Sequence, residues 1–561
     1  MIKFTSNIYR YVLSFVMGCI LLMPSDILAK PAYRGPITHI QPDGTELTIY
    51  RSGDENHKEL RDANGCQLYI TEDGWARRLD NGMLSLRRAA EAEEPTRKKF
   101  LFSGTPFPCE GDPHALVILV EFQDRTFSMD DPNDFYTRML NEEGFSDYGA
   151  TGSARDFFVE NSIGQFKPIF DVYGPVMLPR SMKYYGGNSL LGDDIRPYQA
   201  LIDAAWILDK DLDFAQYDID EDGQIDNVFI FYAGYGEADS PDYDAIWPHS
   251  ADLDVFNIGR EFYHDGKKLN RYGMTNEIDY SYRRPDGIGT FVHEFSHVLG
   301  LPDEYCTNYS GSFTGGTYSV LDYGPYNNQG RTPPHYNIFQ RYSLGWLTPI
   351  VPEPGSSGVY VLDPIHISNT GLMLPTDNEN EFYLFENRQQ VCCDRFIPGH
   401  GMLVWHIDFV QSVWDDNVVN NLHHHLHVDL VEADHRQSES TRAGDVFPGI
   451  NGVTEFSSVS APALRSWSNQ PVGFDITMIE EVNDKIKFLL TAQESKVSQV
   501  EDGNTGISVR DGYLYNDSAE EAVIYDMSGT RVGQAASGES TPLPAGIYII
   551  KCGAEVVKVT I

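Results

Sequence analysis

Positive charge is scarce in this sequence: 42 lysines and arginines stand against 82 aspartates and glutamates, a net charge of −40 over 561 residues. Binding to polyphosphate depends on clusters of lysine and arginine, so neither nucleic acid nor an anionic membrane is an expected partner. Long apolar runs are nearly missing too. The longest, Tyr11 to Met23, is shorter than the roughly 20 residues a membrane-spanning helix needs. Cysteine is sparse. Beyond Cys19 there are Cys66, Cys109, Cys306, Cys392, Cys393 and Cys552, and spacing does not choose among their pairings. A local bridge between Cys66 and Cys109 is one candidate. Adjacent Cys392 and Cys393 either bridge each other or two separate partners.

What is present fits an exported protein. Lys3 and Arg10 precede the apolar run, and Pro24 and Ile27-Leu28-Ala29 follow it, which reads as a signal peptide over 1–29 cleaved after Ala29. Val16-Met17-Gly18-Cys19 faintly resembles a lipoprotein box, but apolar residues continue past Cys19, against lipidation there. The expected location is secreted or cell-surface, without a transmembrane anchor. An apolar fraction of 41% supports packed cores, and the length exceeds what one core usually holds, so several domains are expected.

The most informative stretch is His293-Glu294-Phe295-Ser296-His297-Val298-Leu299-Gly300-Leu301-Pro302-Asp303. Histidines four apart on a helix project from one face and can reach one metal ion. Glu294 is placed to hold a water on that metal and take its proton, the chemistry of a zinc hydrolase. Gly300 suits a helix end in the left-handed conformation. The chain can then turn back so that Asp303 becomes the third ligand, leaving a fourth position open, as catalytic zinc requires. Glu304 is the substitute ligand if Asp303 turns away.

The block Gly287-Ile288-Gly289-Thr290-Phe291-Val292-His293-Glu294, continuing through Leu301-Pro302-Asp303-Glu304-Tyr305, resembles the immune inhibitor A family of secreted metalloproteases, relatives of the metzincins. The resemblance implies aspartate as third zinc ligand and a methionine-containing turn beneath the metal. Tyr318-Ser319-Val320-Leu321-Asp322-Tyr323-Gly324 sits where that turn is expected, with Leu321 in place of methionine. Tyr323 is a candidate donor to the developing oxyanion; a core tyrosine is the alternative. Leu321 also leaves open a degenerate, inactive homologue.

Asp218-Ile219-Asp220-Glu221-Asp222-Gly223-Gln224-Ile225-Asp226 carries oxygen donors at positions one, three, five, seven and nine and glycine at six, like an EF-hand calcium loop. The glutamate at twelve is missing, with Phe229 in its place. Asp218, Asp220, Asp222, Gln224 and Asp226 are the candidate calcium ligands, and a solvated acidic turn is the alternative. The family resemblance favours calcium, which would pin the loop to the sheet. His423, His425 and His427 alternate between Leu422 and Val428, so on a strand they share a face; adventitious surface histidines are the bland reading.

The fold class expected is multidomain α+β. Residues 30–111 read as a propeptide-like domain of short strands, ending in the charged stretch Ala89 to Lys99, a processing region. Cys66 could cap the metal in a latent form, though a bridge is the simpler reading. Residues 112–350 read as an α/β, metzincin-like catalytic domain. The apolar runs His114 to Phe122 and Val228 to Gly234 are expected as strands buried on both faces. Helices are expected around Asp134 to Leu140, Ala154 to Glu160 and Tyr198 to Leu208. Residues 351–495 alternate like an all-β segment. Residues 496–561 resemble the small β-sandwich sorting domain of type IX secretion substrates, on the pattern Ala522 to Gly529, Leu543 to Lys551 and Val556 to Ile561.

The sequence therefore predicts a secreted zinc metalloendopeptidase made as a precursor. Its partners would be protein or peptide substrates and, through the tail, secretion machinery, and it is expected to be a monomer. The competing classes are an inactive protease-like adhesion protein and a zinc hydrolase of a non-protein polymer.

Overall fold

The computed structural model describes residues 28–29, 31–33, 35–53, 58–63, 67–71, 74–78, 101, 107–189, 194–256, 258–308, 311–378, 380–493, 498–499, 506–510, 513–526, 529–544, 546–553 and 555–560. Most of the expected signal peptide, Cys66 and the stretch 89–99 lie outside them. Two compact units are present, Met1–Thr491 and Ala492–Ile561. The protein mixes α and β structure, and among the described residues no helix is long and apolar enough to cross a membrane.

The first unit is built on a seven-stranded sheet. Its strands are β1 (Leu28–Ala29), β2 (His114–Glu121), β3 (Ile169–Met177), β4 (Val228–Tyr235), β5 (His249–Asp252) and β6 (Arg271–Asp279), in the order β1-β5-β6-β4-β2-β3, with Arg284–Pro285 paired to β6. β6, β4, β2 and β3 run parallel, while β5 and β1 add antiparallel at the edge. In β2, Ala115, Val117 and Leu119 enter the core on one face, and Leu116, Ile118 and Val120 enter the core on the other. An uninterrupted apolar run is what a strand covered on both faces needs.

The covering helices stand close to where periodicity put them: α1 (Pro132–Asn141), α2 (Ala154–Asn161) and α3 (Pro197–Leu208). α3 shares the core with Leu116 and Ile230, and α1 and α2 share the opposite core with Val117 and Phe231. Asp131 and Ser153 cap the first turns of α1 and α2, their side chains accepting from the backbone N–H of Asp134 and Asp156. The core beside α1 and α2 also receives α4 (Ile288–Val298), every residue of which is buried. Phe291 meets Phe229 at 4.6 Å and Phe170 at 5.1 Å, and Phe295 meets Phe158 at 5.5 Å, so aromatic contacts lock the helix to the sheet. Its N-terminus comes so close to the following segment that a Cβ on Gly289 would lie 2.1 Å from the Pro325 carbonyl oxygen.

Pro36–Ile40, Glu46–Gly53, Lys58–Asp62, Gln67–Ile70 and Ala76–Arg78 form a five-stranded antiparallel sheet around Ile37, Ile49 and Leu68. Beyond α5 (Ile338–Ser343) come an antiparallel four-stranded sheet, Leu372–Pro375, Glu381–Arg388, Gly401–Asp408 and Val428–Leu430, and a three-stranded one. These regions join the seven-stranded sheet in one compact unit. A buried charge cluster shows why: Arg388 pairs with Asp394, and His335 lies between Asp394 and Glu160.

In the second unit a five-stranded and a three-stranded sheet share one core, with Ile507 and Leu514 from one and Ile524, Ile550 and Val559 from the other. Cys392 and Cys393 are both free thiols, so the vicinal bridge between them is not formed. The Cys66–Cys109 pairing involves a residue outside those described.

Candidate metal centre and active site

α4 carries His293 and His297 on one face, both buried. His293 Nδ1 donates to the Val320 carbonyl at 2.8 Å, and His297 Nδ1 donates to the Leu301 carbonyl at 2.7 Å. A carbonyl only accepts, so both protons sit on Nδ1 and both Nε2 lone pairs face inward. Gly300 makes the second contact possible. It takes φ +94°, ends the helix and turns Leu301 back beneath His297.

The same turn delivers Asp303. Its Oδ1 lies 3.3 Å from His293 Nε2 and 3.4 Å from His297 Nε2, and the two Nε2 atoms are 3.3 Å apart. A tetrahedral ion with bonds of about 2.0–2.1 Å separates its donors by about 3.3–3.4 Å. The triangle therefore has the edge length zinc would impose. Asp303 Oδ1 is buried and accepts no hydrogen bond, as expected of an oxygen reserved for a cation. Burial raises the Asp303 pKa, but His297 and His293 outweigh it and bring the carboxyl down to about 2.

The other oxygen of Asp303 is held by a residue that no motif singles out. Asn417 Nδ2 donates to Asp303 Oδ2 at 2.8 Å, and Asn417 Oδ1 accepts from the Asp303 backbone N–H at 2.9 Å. Asn417 takes φ +50°, a conformation asparagine tolerates better than most residues. The neighbouring Asn420 Nδ2 donates to the Glu304 carbonyl, and Thr307 Oγ1 donates to the Asn417 carbonyl. The β-rich segment thus clamps the ligand loop.

Glu304 faces away from the triangle. Ser319 Oγ donates to it at 2.6 Å and Asn337 Nδ2 at 2.9 Å, and burial pushes its pKa up to about 7 against those bonds. With Asp303 turned inward, the substitute ligand is not needed. Glu294 follows His293 on α4 and is fully buried. Leu321 is fully buried in the core that packs α4, and Val320 beside it supplies the carbonyl for His293. Tyr323 is partly buried and its ring stacks on Tyr326 at 6.3 Å.

Of the acidic loop ahead of β4, carboxylate oxygens of Asp218, Asp220 and Asp226 lie within 4.8 Å of one another. Asp222 instead accepts from the backbone and side-chain amides of Gln224. Lys267 places its ammonium on Asp218 Oδ2. Burial, then Asp220, Asp218 and Asp222, raise the Asp226 pKa to about 7.

The histidine triplet differs from expectation. Residues 422–427 form turns and the strand begins only at Val428, so the three do not share a strand face. His425 Nε2 and His427 Nδ1 approach Asp408, His425 within a hydrogen bond of 2.6 Å, while His423 packs on His424. Ligand atoms of Asp408, His425 and His427 lie within 4.8 Å of one another, a grouping that could hold a metal ion, and His423 is not part of it.

Residues 110–346 match the immune inhibitor A peptidase M6 catalytic domain. The match begins just before β2 and ends just after α5, spanning the helix and turn that carry His293, His297 and Asp303. Asn417 lies outside it. Pre-pro-metalloprotease PrtV of Vibrio cholerae serotype O1 is 30% identical over 238 residues, covering 35% of this chain and 25% of that protein. Immune inhibitor A of Bacillus thuringiensis subsp. alesti is 28% identical over 237 residues, covering 35% of this chain and 34% of the relative. The chain spans about a quarter to a third of the length of these relatives. Both likenesses are to proteins whose names describe a metalloprotease or immune inhibitor A, and the family match covers the segment that carries His293, His297 and Asp303.

Proposed function

We propose that this chain is a secreted zinc metalloendopeptidase of metzincin-like build, with His293, His297 and Asp303 as zinc ligands. One observation carries the reading: three buried donor atoms stand 3.3–3.4 Å apart, with the proton-bearing nitrogens turned outward onto carbonyls. Zinc there supplies Lewis acidity toward water and the scissile carbonyl. Glu294 takes the proton from water and passes it to the leaving amine. Tyr323 is the proposed donor to the developing oxyanion. Asn417 fixes the Asp303 carboxylate, and the Val320 and Leu301 carbonyls fix the rings.

The remaining assignments belong to the same proposal. Residues 1–29 act as signal peptide, 30–111 as propeptide and 112–350 as catalytic domain. Residues 351–495 are a β-rich support, and 496–561 a sandwich that addresses export through a type IX route. Calcium bound by Asp218, Asp220 and Asp226, with Asp222 and Gln224 completing the loop, steadies the connection into β4. The substrates are peptide bonds of extracellular proteins.

Casein digestion tests the activity, using protein treated briefly with trypsin to open the linker between Ala89 and Lys99. Cleavage should stop when zinc is chelated and return with stoichiometric zinc. Cleavage that persists in zinc-free protein, or never appears, overturns the reading.

A further inference from the structure

Part of the histidine tract meets the end of the strand Gly401–Asp408 in the β-rich segment, outside the residues that match the peptidase domain. His425 Nε2 lies 2.6 Å from Asp408 Oδ2, and His427 Nδ1 lies 3.8 Å from the same oxygen. Asp408 and His427 are buried, and His425 is partly exposed. His427 Nδ1 also lies 2.6 Å from the Asp408 carbonyl. A carbonyl only accepts, so that proton sits on Nδ1 and Nε2 keeps a lone pair for a cation.

Aromatic packing orients the rings. The Trp467 indole stacks on His425 at 4.4 Å and on His406 at 5.1 Å, and Trp414 meets His427 edge to face at 6.1 Å. Glu381 Oε1 anchors that column, accepting from His406 Nε2 and from the Trp467 backbone N–H, each at 2.7 Å. His406 is thereby engaged and stands outside the group.

We propose that Asp408, His425 and His427 form a zinc site of their own. Two imidazoles and one carboxylate suit zinc and its first-row neighbours, whereas calcium and magnesium take oxygen donors. Zinc would take the place of the proton between His425 and Asp408.

Its place in the chain gives the site a task. Asp408 ends one strand, and His425 and His427 stand just before the next, Val428–Leu430, so an ion there closes the base of the excursion 409–427. Clipping the two ends of a loop together removes conformational freedom from it. That excursion carries Asn417, which grips Asp303. It also carries Asn420, which accepts from the His427 backbone N–H at 3.0 Å and donates to the Glu304 carbonyl at 2.7 Å. Zinc at the base would therefore stiffen the arm that holds the loop of Asp303 and Glu304. This does not rest on zinc being bound by His293, His297 and Asp303, and it is separate from the acidic loop at Asp218.

The test counts zinc bound by the full-length chain after dialysis, with zinc alone as probe. His425→Asn and Asp408→Asn should each bind one zinc fewer per chain than wild type and show a smaller zinc-induced rise in Tm. The readout is a difference, so it holds whether or not the triangle at Asp303 takes zinc. His425 is partly exposed, so its variant reads the count if Asp408→Asn does not fold. Replacing the exposed neighbours together, His423→Asn with His424→Asn, should leave the count unchanged. The proposal is overturned if His425→Asn binds as much zinc as wild type, or if the His423 and His424 substitutions remove the ion, which would mark an exposed histidine tract.

Discussion

Asn417 grips Asp303 at two points, donating from Nδ2 to the Oδ2 carboxylate oxygen and accepting at Oδ1 from its backbone N–H, across 114 residues of chain. The carboxylate is thereby rotated so that Oδ1 completes the triangle with His293 and His297. Partners of this kind tune metal affinity by about 10–100-fold. Asn417→Ala is expected to weaken zinc by that factor in competition with a chromophoric chelator. Casein cleavage should recover at high zinc. Unchanged affinity would show that Asp303 orients itself.

Leu321 tests whether sulfur under the site matters. It is fully buried among Phe291, Val292 and Val320 in one core. Leu and Met are close in volume, so Leu321→Met should cost less than about 1.5 kcal/mol and leave zinc affinity within about twofold. Leu321→Ala opens a cavity and should cost about 2–5 kcal/mol in denaturant unfolding. A large gain in activity from Leu321→Met would mark the natural chain as partly disabled.

His335 should make stability depend on pH. Its Nε2 lies 2.6 Å from Glu160 Oε1, and its Nδ1 lies 2.9 Å from Asp394 Oδ2 at ion-pair distance without hydrogen-bond alignment. Arg388, Arg341 and Cys393 close the surroundings. Burial works against the imidazolium, but Asp394 and Glu160 together hold its pKa above the ordinary value. The folded state thus binds the proton more tightly than the unfolded one. The stabilisation is complete below about pH 6.5 and is lost as pH rises through the higher folded value. Tm should fall over that interval in wild type and much less in His335→Gln; equal slopes would contradict the charged pair.

The acidic loop ahead of β4 predicts a pH-dependent calcium effect. Asp226 titrates near 7 because burial and Asp220, Asp218 and Asp222 oppose its charge. A folded pKa above the unfolded one makes ionisation destabilising as pH rises from about 4 to about 7. A calcium ion bound there would offset that charge. The Tm increment from calcium should be larger at pH 8 than at pH 5, and Asp220→Asn should reduce it by half or more. An increment that is equal at both pH values would exclude the loop.

Much of this architecture was legible locally. β2 and β4 announced themselves because both faces are buried, so no polar residue interrupts Leu116 to Val120 or Val228 to Tyr232. α1 to α3 follow from helical spacing, and the ligand helix from His293, His297 and Gly300. What was hidden depends on long-range placement. Asn417 carries no motif, and its grip on Asp303 requires the β-rich segment to fold. The histidines at 423–427 misled because alternation implies a shared face only on a strand, and the strand starts after them.

The central claim is that Glu294 moves the proton at a zinc held by His293, His297 and Asp303. Glu294→Gln keeps the shape and removes the base, so the decisive measurement pairs zinc content with casein cleavage in trypsin-opened protein. One zinc per chain should remain while kcat falls by about 10²–10⁴-fold, the usual share of general acid–base catalysis. Cleavage close to wild type with zinc retained would contradict the account.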